Sequence, residues 1–254
     1  ISDNVSINDF VVLPNGNVVV YGYTSSTSTS WIKLFYANGG LRSIEPSAGS
    51  NFLRRFSDGN IYYAPHSNSE IRVFDTNTLN RRTTPWFGGT TPTNDESVSC
   101  APNACGSLTS PRSLVQLTDN SVYALTERYV NNQSVGGISK MYPQVSGIAP
   151  GQVSNAKIIG AAGAKVAIAG LDSNGFQTLE IFDPNSTAHT TILDGTNEIE
   201  IGAMSYRASD NQLIFSGLRF SDNRTVVGTV NLTNNSVSIG IATSSKLYDL
   251  QAFG

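Results

Sequence analysis

Five short corners, each set between two apolar runs, constrain the fold of this chain more than any other feature. They are Asn15-Gly16 in "VVLPNGNVVV", Asp58-Gly59 in "RRFSDGNIYY", Asp119-Asn120 in "VQLTDNSVYA", Ala162-Gly163 in "IIGAAGAKVAIAG" and Asp210-Asn211 in "SYRASDNQLIF". The successive spacings are 43, 61, 43 and 48 residues. Asn-Gly and Asp-Gly tolerate the positive φ that tight hairpins demand, so each corner reads as a hairpin turn. The flanking runs are rich in Val, Ile, Leu, Tyr and Phe and read as strands.

A second pair of strands is expected after each hairpin. The third runs are "WIKLFY", "EIRVFD", "GISKMY", "TLEIFD" and "TVVGTVNL", and weaker fourth runs follow, among them "LRSIEP", "HTTILD" and "SVSIGI". No useful 3.6-residue periodicity interrupts them. Four antiparallel strands per 43 to 48 residues is the period of a propeller blade. The "FSDGNIYY" and "LTDNSVYAL" hairpins, with the "IRVFDTNT" and "LEIFDPNST" strands, resemble the β-propeller superfamily, most nearly bacterial YVTN, NHL or kelch-type blades. The resemblance covers nearly the whole chain and concerns architecture only. There is no WD dipeptide, paired kelch glycine or sialidase Asp-box to carry a subfamily function.

The expected fold is therefore all-β: one β-propeller domain over 1–254, of five or six four-stranded antiparallel blades. The blades fall at about 7–50, 51–110, 111–151, 152–200 and 201–245. A β-solenoid or sandwich is the alternative. The tail "KLYDLQAFG" reads as the first strand of a closing or incomplete blade, with Asp249-Leu250 matching Asp9-Phe10. Self-association, or strands from an upstream domain, would complete that blade, since an open strand edge invites pairing.

Composition narrows the function classes. Only 14% of the 254 residues are charged and the formal net charge is -3, so no basic field calls for nucleic acid. No apolar run reaches the roughly 20 residues of a membrane helix. The low charge and abundant Ser, Thr and Asn favour an extracellular, periplasmic or cell-surface setting. Cys100 and Cys105, in "SCAPNACGS", read as a small disulfide loop, with two reduced thiols as the alternative. No metal site or cofactor is expected, because His66 and His189 lack ligand-like spacing.

Site candidates come from two places. The first is a set of expected long loops: "TSSTSTSW" from Thr24, "ERYVNNQSVGG" from Glu127, and the link from Thr83 to Ser110. They carry Trp31, Trp86, Phe87 and Tyr129, aromatics suited to a glycan or protein surface. Packing between blades or under their own loops is the alternative for each. The second is the strand position three residues before each corner. Arg55, Gln116 and Arg207 stand there and would share a channel level, where arginine can grip an anion; a solvated channel mouth is the alternative. Catalytic groups are sparse: Asp9, Glu127, Glu200 and Asp249 are the carboxylates a propeller glycosidase would need. "DSNG" at Asp172 lacks the later Glu of a calcium loop and reads as a turn. The leading expectation is a non-catalytic propeller that binds a protein or glycan through its long-loop face. The alternatives are a glycoside hydrolase or lyase, and a structural subunit whose blade a neighbouring chain completes.

Overall fold

In the computed structural model, the described residues are 5–45, 50–65, 72–78, 80–82, 109–130, 133–142 and 146–243. They form five four-stranded sheets, each built in strict sequence order. The first holds β1 (Val5–Val12), β2 (Val18–Thr24), β3 (Thr29–Phe35) and β4 (Leu41–Glu45). The second holds β5 (Ser50–Arg55), β6 (Ile61–Pro65), β7 (Arg72–Asp75) and β8 (Asn80–Arg82). The third holds β9 (Thr109–Gln116), β10 (Val122–Val130), β11 (Gln133–Tyr142) and β12 (Ser146–Gly147). The fourth holds β13 (Asn155–Ala162), β14 (Lys165–Leu171), β15 (Gln177–Asp183) and β16 (Ala188–Leu193). The fifth holds β17 (Ile199–Arg207), β18 (Gln212–Arg219), β19 (Arg224–Asn231) and β20 (Val237–Thr243). Among the described residues there is no α-helix, only the 3-10 turns η1 (Gly195–Asn197) and η2 (Ala208–Asp210). Among the same residues, no helix is long and apolar enough to cross a membrane.

The corners do what their residues dictate. Gly16, Gly59, Asn120, Gly163 and Asn211 all have positive φ. The first three corners are one turn written three times. Gly16 N donates to Leu13 O, Gly59 N to Phe56 O and Asn120 N to Leu117 O, at 3.0, 2.9 and 3.0 Å. A side chain locks each turn: Asn15 Oδ1 accepts from Asn17 N, Asp58 Oδ1 from Asn60 N and Asp119 Oδ1 from Ser121 N. These are Asx turns, where a short polar side chain satisfies the backbone two residues on. The other two corners differ. Ala162 pairs directly with Lys165 across a shorter turn, and Arg207 pairs with Gln212 across η2.

The chain groups into two compact units. One contains the first and second sheets; the other contains the fourth and fifth sheets and the third from Val115 onward. In the first unit, Val19, Tyr21, Ile32 and Leu34 pack with Leu53, Ile61, Tyr63 and Phe74. In the second unit, the third and fourth sheets share a core of Leu117, Tyr123, Leu125 and Ile138 with Ile159, Val166, Ile168 and Phe182. The fourth and fifth sheets share another, of Ala169, Leu179 and Ile181 with Ile201, Leu213, Phe215 and Val226. Second strands such as β14 are buried in an unbroken run rather than in alternation. That is the pattern of a strand covered on both faces.

Four first strands carry a bulge: between Ile7 and Asp9, Ser50 and Leu53, Ala156 and Ile158, and Ile201 and Ala203. In three of the four sheets a glycine faces it, as Ile7 pairs Gly22, Ala156 pairs Gly170 and Ile201 pairs Gly217. The bulge twists the first strand towards its partner's backbone, and only a residue without Cβ leaves room.

The turn carboxylates make stability depend on pH. Burial pushes the Asp119 carboxyl up, but the Ser121 hydroxyl and amide and the Lys140 charge together bring it below its usual value. The Asn185 amide lowers Asp183, with Lys165 adding to the effect. The Thr196 hydroxyl and amide lower Asp194, and the Arg207 and Arg219 guanidinium groups lower Asp210 and Asp222. Each folded pKa lies below the unfolded one. The stability these groups lend is thus fully present above the unfolded value and is lost as pH falls through the folded value. The expected result is a urea midpoint that is flat above about pH 5 and declines below about pH 4. Substituting Asp119→Asn should remove part of that decline.

Candidate functional site

The connections between second and third strands are shorter than the sequence leads one to expect. "TSSTSTSW" is not a long loop: Thr24 pairs with Thr29, and only 25–28 turn, closed by Ser28 N donating to Ser25 O. "ERYVNNQSVGG" is likewise no loop, because β10 and β11 stay paired from Val122 to Val130. Thr, Val and Tyr are strand formers, and a hairpin partner turns polar runs of this kind into ladder rather than coil. The third expected loop, with Trp86, Phe87, Cys100 and Cys105, lies outside the described residues, and so does Asp249.

Trp31 is only 6% exposed. Its ring covers Gly22, whose missing Cβ would sit 2.5 Å from Trp31 Cζ2. Its Nε1 donates to Thr24 Oγ1 at 2.8 Å, and Lys33 Nζ stands 4.3 Å from the ring centroid. The residue serves the first sheet as packing rather than as a displayed ring. Tyr129 pairs with Ser134 near the end of the β10–β11 hairpin.

Arg55, Gln116 and Arg207 each end the first strand of their sheets. Arg207 is committed to its own turn. Nε and Nη2 donate to both Asp210 oxygens, at 2.7 and 2.6 Å, and Nη2 also donates to Gln212 Oε1 at 2.8 Å. Arg55 is exposed, and Gln116 is half-buried. Asp9 acts as a structural tie between β1 and β5. Its Oδ2 accepts from Leu53 N at 2.8 Å and from Arg54 Nη1 at 3.1 Å. Glu200 is exposed on β17. Among the described residues, no three His, Cys, Asp or Glu side chains gather as a metal site.

What sequence reasoning missed lies at the second-to-third end of the fourth and fifth sheets. "DSNG" is a turn: Asp172 Oδ1 accepts from Asn174 N and Phe176 N at 2.8 and 2.9 Å, and Gly175 takes positive φ. The turn holds Phe176 out, 56% exposed. The corresponding turn of the fifth sheet holds Phe220 out, 51% exposed, and is fixed by Arg219 donating twice to Asp222 at 3.0 and 2.6 Å. Both phenylalanines touch the connection 194–198. Phe176 lies against Gly195, where a Cβ would meet it at 2.5 Å, and Phe220 N donates to Glu198 O at 2.9 Å. That connection is itself braced, because Asp194 caps η1 through Thr196 N. Two exposed rings thus stand on hydrogen-bonded turns beside Asp, Asn and Thr groups. Such a surface can stack an apolar side chain or a sugar face and hydrogen-bond around it.

No protein-family profile matches the chain, and no curated protein matches it at the sequence level. Solved structures do. TolB from Acinetobacter baumannii superposes with a TM-score of 0.61 at 12% identity, over 95% of this chain and 55% of that one. An oligogalacturonate lyase from Vibrio parahaemolyticus gives 0.60 at 8% identity, over 96% of this chain and 74% of that one. A GH74 enzyme from Niastella koreensis gives 0.58 at 14% identity, over 92% of this chain and 38% of that one. The chain thus spans about half of the TolB structure. At these identities the likeness concerns the fold alone: an all-β protein of sequential antiparallel sheets, as in β-propellers.

Proposed function

We propose that this chain is a β-propeller whose blades include the five sheets, and that it is a non-catalytic binding module for a protein or glycan. The ligand docks at the second-to-third-strand end, and the exposed pair Phe176 and Phe220 on their braced connection carries this reading. An aromatic side chain has only two χ angles to immobilise, so it anchors a ligand at little entropic cost. Tyr129, near the end of the β10–β11 hairpin, is a third contact in this reading. The low-charge, Ser/Thr/Asn-rich sequence favours a periplasmic, extracellular or cell-surface setting.

The test is a glycan array and a displayed-peptide library screened with the purified chain, followed by titration of the best binder. The double variant Phe176→Ala/Phe220→Ala should weaken that binder at least tenfold, the loss of one or two aromatic anchors at about 1–3 kcal/mol each. Both residues are half-exposed, so the fold should survive. Unchanged affinity in the double variant removes this surface from consideration.

A further inference from the structure

Phe176 and Phe220 stand among carboxylates. Asp172 and Asp222 sit on the two turns that carry the rings, and Asp194 and Glu198 sit on the connection both turns touch. The basic side chains of these segments are Arg219 and Arg224, and both lie on Asp222, at 2.6 and 3.9 Å. Asp172, Asp194 and Glu198 form no ion pair among the described residues. The turn bonds of Asp172 and Asp194 use Oδ1 of each, so Oδ2 of each takes no part in them. Glu198 is exposed, and its side chain makes no hydrogen bond among the described residues. The two rings therefore share their surface with three carboxylates that have no basic neighbour to neutralise them.

We infer that the occupant of this surface is a basic stretch of another protein, one that sets Lys or Arg beside apolar side chains. The inference rests on the docking surface proposed above and names what that surface takes. Two half-exposed rings are too small an anchor to bind by area alone, so charge has to supply the selectivity. A lysine or arginine lays its methylene stem on a phenylalanine ring and carries its head to a carboxylate beyond. The chain makes a contact of this kind within itself, where Lys33 Nζ stands 4.3 Å from the Trp31 ring centroid. A neutral ligand, a neutral glycan included, would strip water from the three carboxylates and return no counter-charge, which is costly. An acidic ligand meets like charge. A basic ligand turns the same three groups into attraction and is steered to them before contact. The whole chain has the same sign, with 19 acidic side chains against 16 basic ones.

Fluorescence anisotropy with the full chain tests it, using a short labelled peptide of repeated Lys-Leu-Gly and twins that carry Gln or Glu in place of Lys. The Lys peptide should bind at least tenfold more tightly than the Gln peptide, and the Glu peptide should bind most weakly. Raising sodium chloride from about 0.1 M to about 1 M cuts the screening length from about 10 to about 3 Å and should remove most of that preference. This arm uses the unaltered chain and is free of any folding defect. Asp172→Asn/Asp194→Asn/Glu198→Gln should abolish the preference at low salt as well. Asn forms the same turns and cap as Asp, so the exchange removes charge and keeps the local bonds. Equal affinity for the three peptides, or binding of none, overturns the inference. So does a Lys preference that the triple variant retains, or a neutral glycan bound at the two rings with an affinity the triple variant keeps. In each of those cases the docking surface itself stands if Phe176→Ala/Phe220→Ala still weakens the ligand selected from the array or library. If the double variant weakens no ligand, the surface falls and this inference with it.

Discussion

Glu180→Ala is expected to destabilise the second unit by about 2–3 kcal/mol, the loss typical of leaving buried hydrogen-bond donors without their acceptor. Glu180 sits on β15 and its side chain is 1% exposed. One carboxylate oxygen accepts from Gln152 N and Val153 N, at 2.8 and 3.2 Å. The other lies 2.8 Å from His189 Nδ1. A carboxylate only accepts, so Nδ1 carries the proton and donates. His189 also rests on the Phe182 ring, with centroids 4.8 Å apart. One side chain thus holds the connection into the fourth sheet and the outer strand β16 at once. Gly151 fits only because it lacks a Cβ, which would stand 2.5 Å from Glu180 Oε2 and 2.4 Å from His189 Nδ1. Removing the carboxylate leaves the buried Val153 N and the part-buried Gln152 N and His189 Nδ1 without their acceptor. Glu180→Gln keeps an oxygen for the two amides and should lose about 1–2 kcal/mol. Urea unfolding followed by near-ultraviolet dichroism measures both. If Glu180→Ala unfolds at the wild-type midpoint, the carboxylate is not what holds this connection.

Gly170→Ala and Gly217→Ala are expected to cost about 1–3 kcal/mol each by overpacking, although both positions look like ordinary strand interior. A Cβ on Gly170 would stand 2.2 Å from Asn155 O, and one on Gly217 would stand 2.5 Å from Glu200 O. The obstructing atoms are backbone of the bulged first strand, so no rotamer change relieves the contact. In an exposed strand without such a neighbour the same exchange would stabilise, because alanine has less conformational freedom to lose. The sign of the effect therefore separates the two situations. A rise in thermal midpoint for either variant would show that the bulge yields and that the glycine is not required.

Much of the strand plan is legible in the residues. All five corners fall where the sequence puts them, since turn chemistry acts over four or five residues. Asn15, Asp58 and Asp119 make their locking bonds to residues two positions on, which no distant part of the chain needs to arrange. The third and fourth strands could be read for the same reason, from apolar runs closed by turn residues. The loops could not. A Ser/Thr run such as 24–30 is strand or coil depending on whether a hairpin partner is in register, and that pairing is not encoded in composition. Trp31 shows the same limit: an aromatic beside a polar run is displayed or buried according to whether a glycine stands across the ladder, and Gly22 does.

By itself, the sequence determined the repeat, the hairpins and the all-β class, because these follow from φ preferences and period-two patterning within short windows. Only the tertiary structure decided which faces are covered. Burial depends on what stands opposite a side chain in space: Phe176 and Phe220 emerged because their turns point them outward. Asp9 and Arg207 carry residue types that fit a catalytic or anion-binding site, and the fold spends both on its own backbone and turns. Partners of that kind are set by packing, since Asp9 reaches Leu53 across 44 residues of chain.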